Sequence, residues 1–98
     1  SSTRVRLCIT GFVQGVGYRT FARRVAGVHG IDGTVRNLPD GRVQVLASGT
    51  RDNLEHLIGE LRKGPTRARV EDIQIEWNPD SSLFAGGVLG HRPGFHVI

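Results

Sequence analysis

The sequence predicts an α+β domain in which two helices lie on one face of an antiparallel-rich sheet. Three patterns support this prediction: apolar residues that alternate over residues 5–13, two stretches with apolar residues at helical spacing, and a Pro39-Asp40-Gly41 turn between two strand-like runs. The chain has 98 residues, of which 38% are hydrophobic and 22% charged, so it is large enough for one core. We therefore predict a single domain over residues 1–98.

The first strand and the first helix are predicted from the N-terminal third of the chain. Every second residue from Val5 to Val13 is apolar or glycine, and Gly11 on this face is expected to let a helix pack closely. The helix is predicted at about residues 20–29, with Gly30 as its stop. Its apolar stripe would consist of Phe21, Val25 and Val28, with Ala22 and Ala26 beside it.

A β-hairpin and a second helix follow. The hairpin strands are predicted at residues 31–38 and 42–48, because Pro fixes φ and Gly accepts positive φ in the turn between them. Thr50 is a good N-cap for the second helix, and Gly64-Pro65 ends it. Its apolar residues recur at i, i+3, i+4 and i+7: Leu54, Leu57, Ile58 and Leu61.

The C-terminal third is predicted to hold two more strands. In residues 68–77 the apolar residues change phase between Val70 and Ile73, so a bulge or bend near Glu71 is expected. Residues 78–94 predict a long surface loop, pinned to the domain by Leu83, Phe84, Val88 and Leu89, and residues 95–97 a short edge strand. The order β-α-β-β-α-β plus a terminal strand is the ferredoxin-like plan, which many unrelated activities share.

The segment between the first strand and the first helix has the features of an anion-binding loop. Gly15 and Gly17 can adopt positive φ at little cost, which lets several backbone N–H groups point at one place. The helix start adds unpaired N–H groups and a positive partial charge. Arg19 adds a forked cation beside them. The loop is therefore predicted to bind a phosphate or a carboxylate.

Asn37 is the second candidate site residue. In a β-α-β-β arrangement its strand can lie near the start of the first helix. Its amide could then hold a water by the oxygen and face an anion with the NH2 group. Because Asn is common near turns, hairpin capping is the alternative, and residue statistics alone favour it.

Composition and spacing argue against several other kinds of site. The net charge is +4, but the charges are scattered, so a solvated basic surface is a simpler interpretation than a nucleic-acid site. Cys8 is the only cysteine, which excludes an intrachain disulfide. A cysteine-dependent phosphatase loop would need an arginine six positions after Cys8. That position is Gln14, so this kind of site is excluded. No apolar run is long enough to span a membrane. The four histidines show no metal-ligand spacing: His29, His56, His91 and His96.

These motifs closely resemble those of the acylphosphatases, small enzymes that hydrolyse carboxyl phosphates. The resemblance runs from about residue 5 to residue 77 and resumes at Phe95. It is carried by Gly11-Phe12-Val13-Gln14-Gly15-Val16-Gly17-Tyr18-Arg19, by Gly33-Thr34-Val35-Arg36-Asn37 and by Asp40-Gly41. It implies that Arg19 and Asn37 are catalytic and that Asn37 positions the attacking water, which overrides the capping interpretation. The implied phosphate-binding residues are Gln14, Gly15, Val16, Gly17, Tyr18 and Arg19.

The resemblance also implies a substrate and a setting. We expect a small-molecule acyl phosphate as substrate, no cofactor and no metal, and a cytoplasmic monomer with no specific nucleic acid or membrane partner. An acyl phosphate expels a carboxylate whose conjugate acid has a pKa of roughly 4, so its hydrolysis needs no general acid. An alcohol phosphate expels a far more basic alkoxide and usually needs an acid or a metal.

Two other functions are alternatives to hydrolysis by a free-standing enzyme. RNA-recognition modules share the fold plan, but they stack bases on aromatic residues of central strands, and no such strand is predicted here. Acylphosphatase-like domains also open the hydrogenase-maturation carbamoyltransferases, which tend to have Pro after the matching arginine. Thr20 at that position favours the free-standing enzyme. Residues 78–94 look longer and richer in glycine than the family's loop, and this segment could cover the site, contact a partner or merely be mobile.

Overall fold

A computed structural model describes residues 3–79 and 93–98 and shows two helices on one face of a five-stranded sheet. The elements are β1 (Thr3–Phe12), α1 (Tyr18–Val28), β2 (Asp32–Asn37), β3 (Val43–Gly49), α2 (Arg51–Lys63), β4 (Arg69–Trp77) and β5 (Phe95–Val97). The strand order is β4-β1-β3-β2-β5, in which only β2 and β5 are parallel. The predicted α+β class and ferredoxin-like plan are confirmed. The predicted surface loop falls mainly on residues 80–92, outside the described residues.

The core lies between the sheet and the two helices. The inward residues of β1 are fully buried, as their alternation predicts, and so are those of β3. The predicted stripe of α2 is confirmed, because Leu54, Leu57, Ile58 and Leu61 are all buried. The side chain of Thr50 accepts a hydrogen bond from the backbone N–H of Asn53 at 3.1 Å, which confirms the predicted N-cap.

Helix α1 begins earlier than predicted and buries a different face. It starts at Tyr18, and its buried residues are Tyr18, Ala22 and Ala26, each four positions after the last. Val28, predicted on the apolar stripe, is 77% exposed. Because each residue turns an α-helix by about 100°, Val28 lies roughly 200° around the helix from Ala26. The prediction for Val28 was therefore wrong, whereas Phe21 and Val25 pack against the rim of the core.

A β-bulge in β4 lies beside the last residues of β1. Thr10 pairs with Asp72 and Gly11 pairs with Val70, so Glu71 is the extra residue. The predicted bulge is confirmed. A Cβ at Gly11 would overlap the backbone carbonyl oxygen of Arg69, and Gly11 has φ 137°. The close approach at Gly11 is therefore between two strands, and the expectation that it admits a helix was wrong.

Helices α1 and α2 have 11 and 13 residues. Within the described ranges, neither is long and apolar enough to cross a membrane.

Candidate active site

The loop between β1 and α1 turns its backbone by means of two glycines. Gly15 has φ 74° and Gly17, which caps α1, has φ 79°. A Cβ at either position would meet nothing within 4 Å, so the backbone conformation, rather than lack of space, calls for glycine. Among the described residues, no group accepts a hydrogen bond from the backbone N–H groups of residues 15–20. These donors can therefore serve an anion in front of the loop.

Arg19 lies on the first turn of α1, at the edge of a cleft of about 130 Å³. Its Nη1 donates to the carbonyl oxygen of Ile98 over 3.5 Å, a long and weak contact. The cleft is lined by Val13, Gly15, Gly17, Tyr18, Arg19, Thr20, Asn37 and Val97. The structure thus brings Arg19 and Asn37, which are far apart in the sequence, into one cleft.

Asn37 is the last residue of β2, and the amide oxygen of its side chain, Oδ1, is buried. Its Oδ1 has no hydrogen-bond partner within residues 3–79 and 93–98. A buried oxygen left without a partner costs about 1–3 kcal/mol, so this atom favours a bound water or ligand. The hairpin turn is closed instead by main-chain bonds, from Leu38 N–H to Arg42 O and from Gly41 N–H to Leu38 O. The capping alternative for the Oδ1 of Asn37 is not what the structure shows.

Two aspartates and the cysteine lie outside the cleft. The carboxylate of Asp40 accepts from the backbone N–H and the Nε of Arg42 at 3.1 and 2.8 Å, and chiefly the backbone bond holds the pKa of Asp40 below its ordinary value. Asp32 accepts from the backbone N–H of Gly94 at 2.8 Å. Cys8 is a half-buried residue of β1. Asp40 thus stabilises the hairpin turn, Asp32 anchors the residue before β5, and none of the three lines the cleft.

Tyr18 fixes the start of α1 to the end of α2. Its phenol is 1% exposed, and its O–H donates to the carbonyl oxygen of Leu61 at 2.7 Å. Burial raises the pKa of Tyr18 far above its ordinary value, so the phenol stays protonated. The ring of Tyr18 therefore packs in the core.

The side chain of Gln14 turns toward the β2–β3 hairpin instead of the cleft. Its Nε2 donates to the carbonyl oxygens of Leu38 and Arg42 at 2.8 and 2.9 Å. Val16 is 6% exposed and does not line the cleft either. The other predicted phosphate-binding residues, Gly15, Gly17, Tyr18 and Arg19, all line it. Backbone binding by Gln14 and Val16 stays a prediction.

The wall formed by β5 was not foreseen from the sequence. The edge strand itself was predicted at residues 95–97, but its neighbour was not. Parallel pairing with β2 aligns Val97 with Val35, and this places Val97 in the cleft wall. The pairing continues with a bond from Ile98 N–H to Val35 O at 2.9 Å, which sets Ile98 near Arg19.

The fold and the cleft define a ferredoxin-like domain with a candidate anion site at the start of its first helix. Residues 5–86 match the family model for Acylphosphatase, and the chain belongs to the acylphosphatase family. It is 42% identical over 94 residues to the acylphosphatase of Thermus thermophilus, a match that covers 96% of this chain and 97% of that relative. The resemblance inferred from the two motifs is confirmed.

Solved structures agree with the family match. The acylphosphatase from Bacillus subtilis superimposes with a TM-score of 0.84 at 28% identity, over 98% of each chain. The fold also occurs within a much longer protein. Thermococcus kodakarensis HypF matches with a TM-score of 0.73 at 30% identity, over 95% of this chain and 11% of that one.

Proposed function

We propose that this enzyme hydrolyses the carboxyl–phosphate bond of small acyl phosphates, giving a carboxylate and inorganic phosphate. One observation carries the proposal: Arg19, Gly15, Gly17 and Asn37 line the same cleft, and the buried Oδ1 of Asn37 has no hydrogen-bond partner among the described residues. Such a cleft can hold a phosphate and a water side by side. Membership of the acylphosphatase family supports this reaction class.

The phosphoryl group is bound by main-chain donors and by Arg19. Phosphoryl transfer passes through a loose, metaphosphate-like transition state, so catalysis is mainly positioning and charge stabilisation. The N–H groups of the loop surround the equatorial oxygens, and the guanidinium of Arg19 binds two of them in a bidentate manner. These donors are in place before the reaction, so little reorganisation opposes it.

The attacking water is held by Asn37. Its Oδ1 accepts a hydrogen bond from the water, and its NH2 group faces the phosphate. The water oxygen forms the new bond to phosphorus in line with the breaking P–O bond. The electron pair of that bond leaves with the carboxylate, and a phosphate oxygen takes the proton of the water.

The leaving group accounts for the chemistry of the cleft wall. The residues that line the described cleft include no carboxylic acid, histidine or lysine. The phenol of Tyr18 donates to Leu61 and is held protonated, so it is not a proton donor for the reaction. A carboxylate leaves without protonation because its conjugate acid has a pKa of roughly 4. This arrangement suits an activated phosphate, and we expect hydrolysis without an added metal ion.

The deciding experiment is hydrolysis of benzoyl phosphate in buffer that contains a chelator. We expect the wild-type chain to be active, and Arg19→Ala and Asn37→Ala to lose nearly all activity while they stay folded. Arg23→Ala is the matched control, since Arg23 is an exposed residue of α1 away from the cleft. Full activity in Asn37→Ala would refute its role, and a strict need for added metal would refute the proposed chemistry. The monomeric state and the cytoplasmic location stay predictions.

A further inference from the structure

We propose that Gln14 is a positioning residue: its side chain joins the phosphate-binding loop to the β2–β3 hairpin and so sets where Asn37 holds the water. This inference rests on the proposed role of Asn37. It assigns to the side chain of Gln14 a task separate from phosphate binding by its backbone.

The geometry joins the two halves of the site through a single NH2 group. The Nε2 of Gln14 donates both hydrogens, one to Leu38 O at 2.8 Å and one to Arg42 O at 2.9 Å. Leu38 directly follows Asn37, and Arg42 directly precedes Val43, the residue that pairs with Asn37. The side chain therefore binds both strands of the hairpin at the end of the ladder that carries Asn37.

The sheet order explains why such a link is needed. The loop continues from β1, whereas Asn37 lies on β2, and β3 lies between them. Because neighbouring strands are about 4.8 Å apart, β1 and β2 are roughly 10 Å apart and share no ladder. Among the described residues, Gln14 makes the side-chain hydrogen bonds that connect residues 13–17 with the hairpin. Without them, the loop and Asn37 would be connected only indirectly, through the two ladders that β3 forms with β1 and β2 and through packing.

The chemistry of the contact requires a glutamine-like amide. Two carbonyl oxygens need two N–H donors, and a neutral NH2 group supplies both without a buried charge. A carboxylate at the same place would face two carbonyl oxygens without a hydrogen to share. The shorter asparagine side chain lacks the methylene that lets one nitrogen reach both strands.

The first test replaces Gln14 by methionine, which is similar in length but has no donor. With benzoyl phosphate we expect kcat to fall roughly 10- to 100-fold, since a misplacement of about 1 Å costs on this order. The inhibition constant of inorganic phosphate should change less than about twofold, because Arg19 and the loop amides remain. Gln44→Met is the matched control, since Gln44 lies on the same hairpin, next to Val43, but its side chain accepts from the exposed Arg36 and does not line the cleft. It should keep the wild-type kcat.

The second test repeats the substitution in an Asn37→Ala background. If Gln14 acts through Asn37, the added substitution should lower the residual rate less than about twofold, since the contact that it positions is already gone. An equal loss in both backgrounds, an unchanged kcat in Gln14→Met, or a loss of phosphate affinity that matches the loss of kcat would overturn the proposal. Full activity of Asn37→Ala alone is a separate result, which would refute the role of Asn37 and with it the premise. If Gln14→Met does not fold, Gln14→Asn serves the same comparison.

Discussion

Replacing Arg19 by lysine and by alanine separates charge from hydrogen-bond geometry in the cleft. Arg19 is half-buried, and within the described residues its side chain makes one weak hydrogen bond, of 3.5 Å to Ile98 O. Folding should therefore lose little in either variant. Each charge-assisted hydrogen bond to a phosphate contributes about 1.5–3 kcal/mol. Two such bonds correspond to roughly 10²- to 10⁴-fold in kcat/KM for Arg19→Ala.

Lysine keeps the positive charge but loses the planar fork. It can replace one of the two hydrogen bonds, so we expect a loss of roughly 10- to 100-fold for Arg19→Lys. The assay is kcat/KM for benzoyl phosphate, with inorganic phosphate as competitive inhibitor and with urea unfolding of each variant. Arg23→Lys and Arg23→Ala are controls on the same helix. Wild-type kcat/KM in Arg19→Lys would show that only the charge matters and would refute the bidentate contact.

Two further substitutions, with a third as a control, test the scaffold of the site. Tyr18→Phe should cost about 1 kcal/mol at pH 7 through the lost hydrogen bond. Folding raises the pKa of Tyr18, so the contribution of this residue to stability is complete below the unfolded pKa of about 10 and declines above it. Between pH 9 and pH 11, Tyr18→Phe should therefore lose less unfolding free energy than the wild-type chain does, as measured by urea unfolding. Equal losses in the two proteins would contradict this reasoning. Gly11→Ala should cost about 3 kcal/mol or more, since its Cβ overlaps Arg69 O, whereas the unobstructed helical Gly27→Ala should gain about 0.5–1 kcal/mol. Similar thermal midpoints for the two glycine variants would refute the close approach at Gly11.

The elements governed by local rules were predictable from the sequence. The N-cap at Thr50, the i, i+3, i+4 spacing of α2 and the turn at Pro39-Asp40-Gly41 each depend on residues within a few positions of one another. The bulge at Glu71 was predictable because a single extra residue must reverse the phase of a strand pattern.

The features that depend on neighbours distant in sequence were not predictable by the same reasoning. Val28 has the spacing of a buried residue, but the face that α1 buries is set by where Tyr18 docks against Leu61. The partner of Gly11 depends on the register of β4, and the place of Val97 depends on parallel pairing with β2. A short pattern of polarity carries no information on such contacts.

The candidate site shows the same division. The glycine loop and Arg19 are adjacent in sequence, so their chemistry could be inferred from the residue types alone. For Asn37, the residue pattern alone left two roles open, hairpin capping and water binding. The resemblance to the acylphosphatases favoured water binding. The physical difference is the burial of its Oδ1 without a partner, which arises only when β2 lies beside the start of α1. The side chain of Gln14 has no sequence signal for its direction.

The parallel strand β5 ties the cleft to the topology of the chain. The wall of the cleft combines residues of the loop after β1 with Val97 of β5. Arg19 also contacts Ile98, which is 79 positions away in the sequence. Closing so long a stretch of chain costs entropy that no local contact repays, so this wall is expected to form after α2 and the hairpin. During refolding, helical content should therefore return before hydrolysis does, and recovery of activity reports the completed arrangement of the strands rather than their formation.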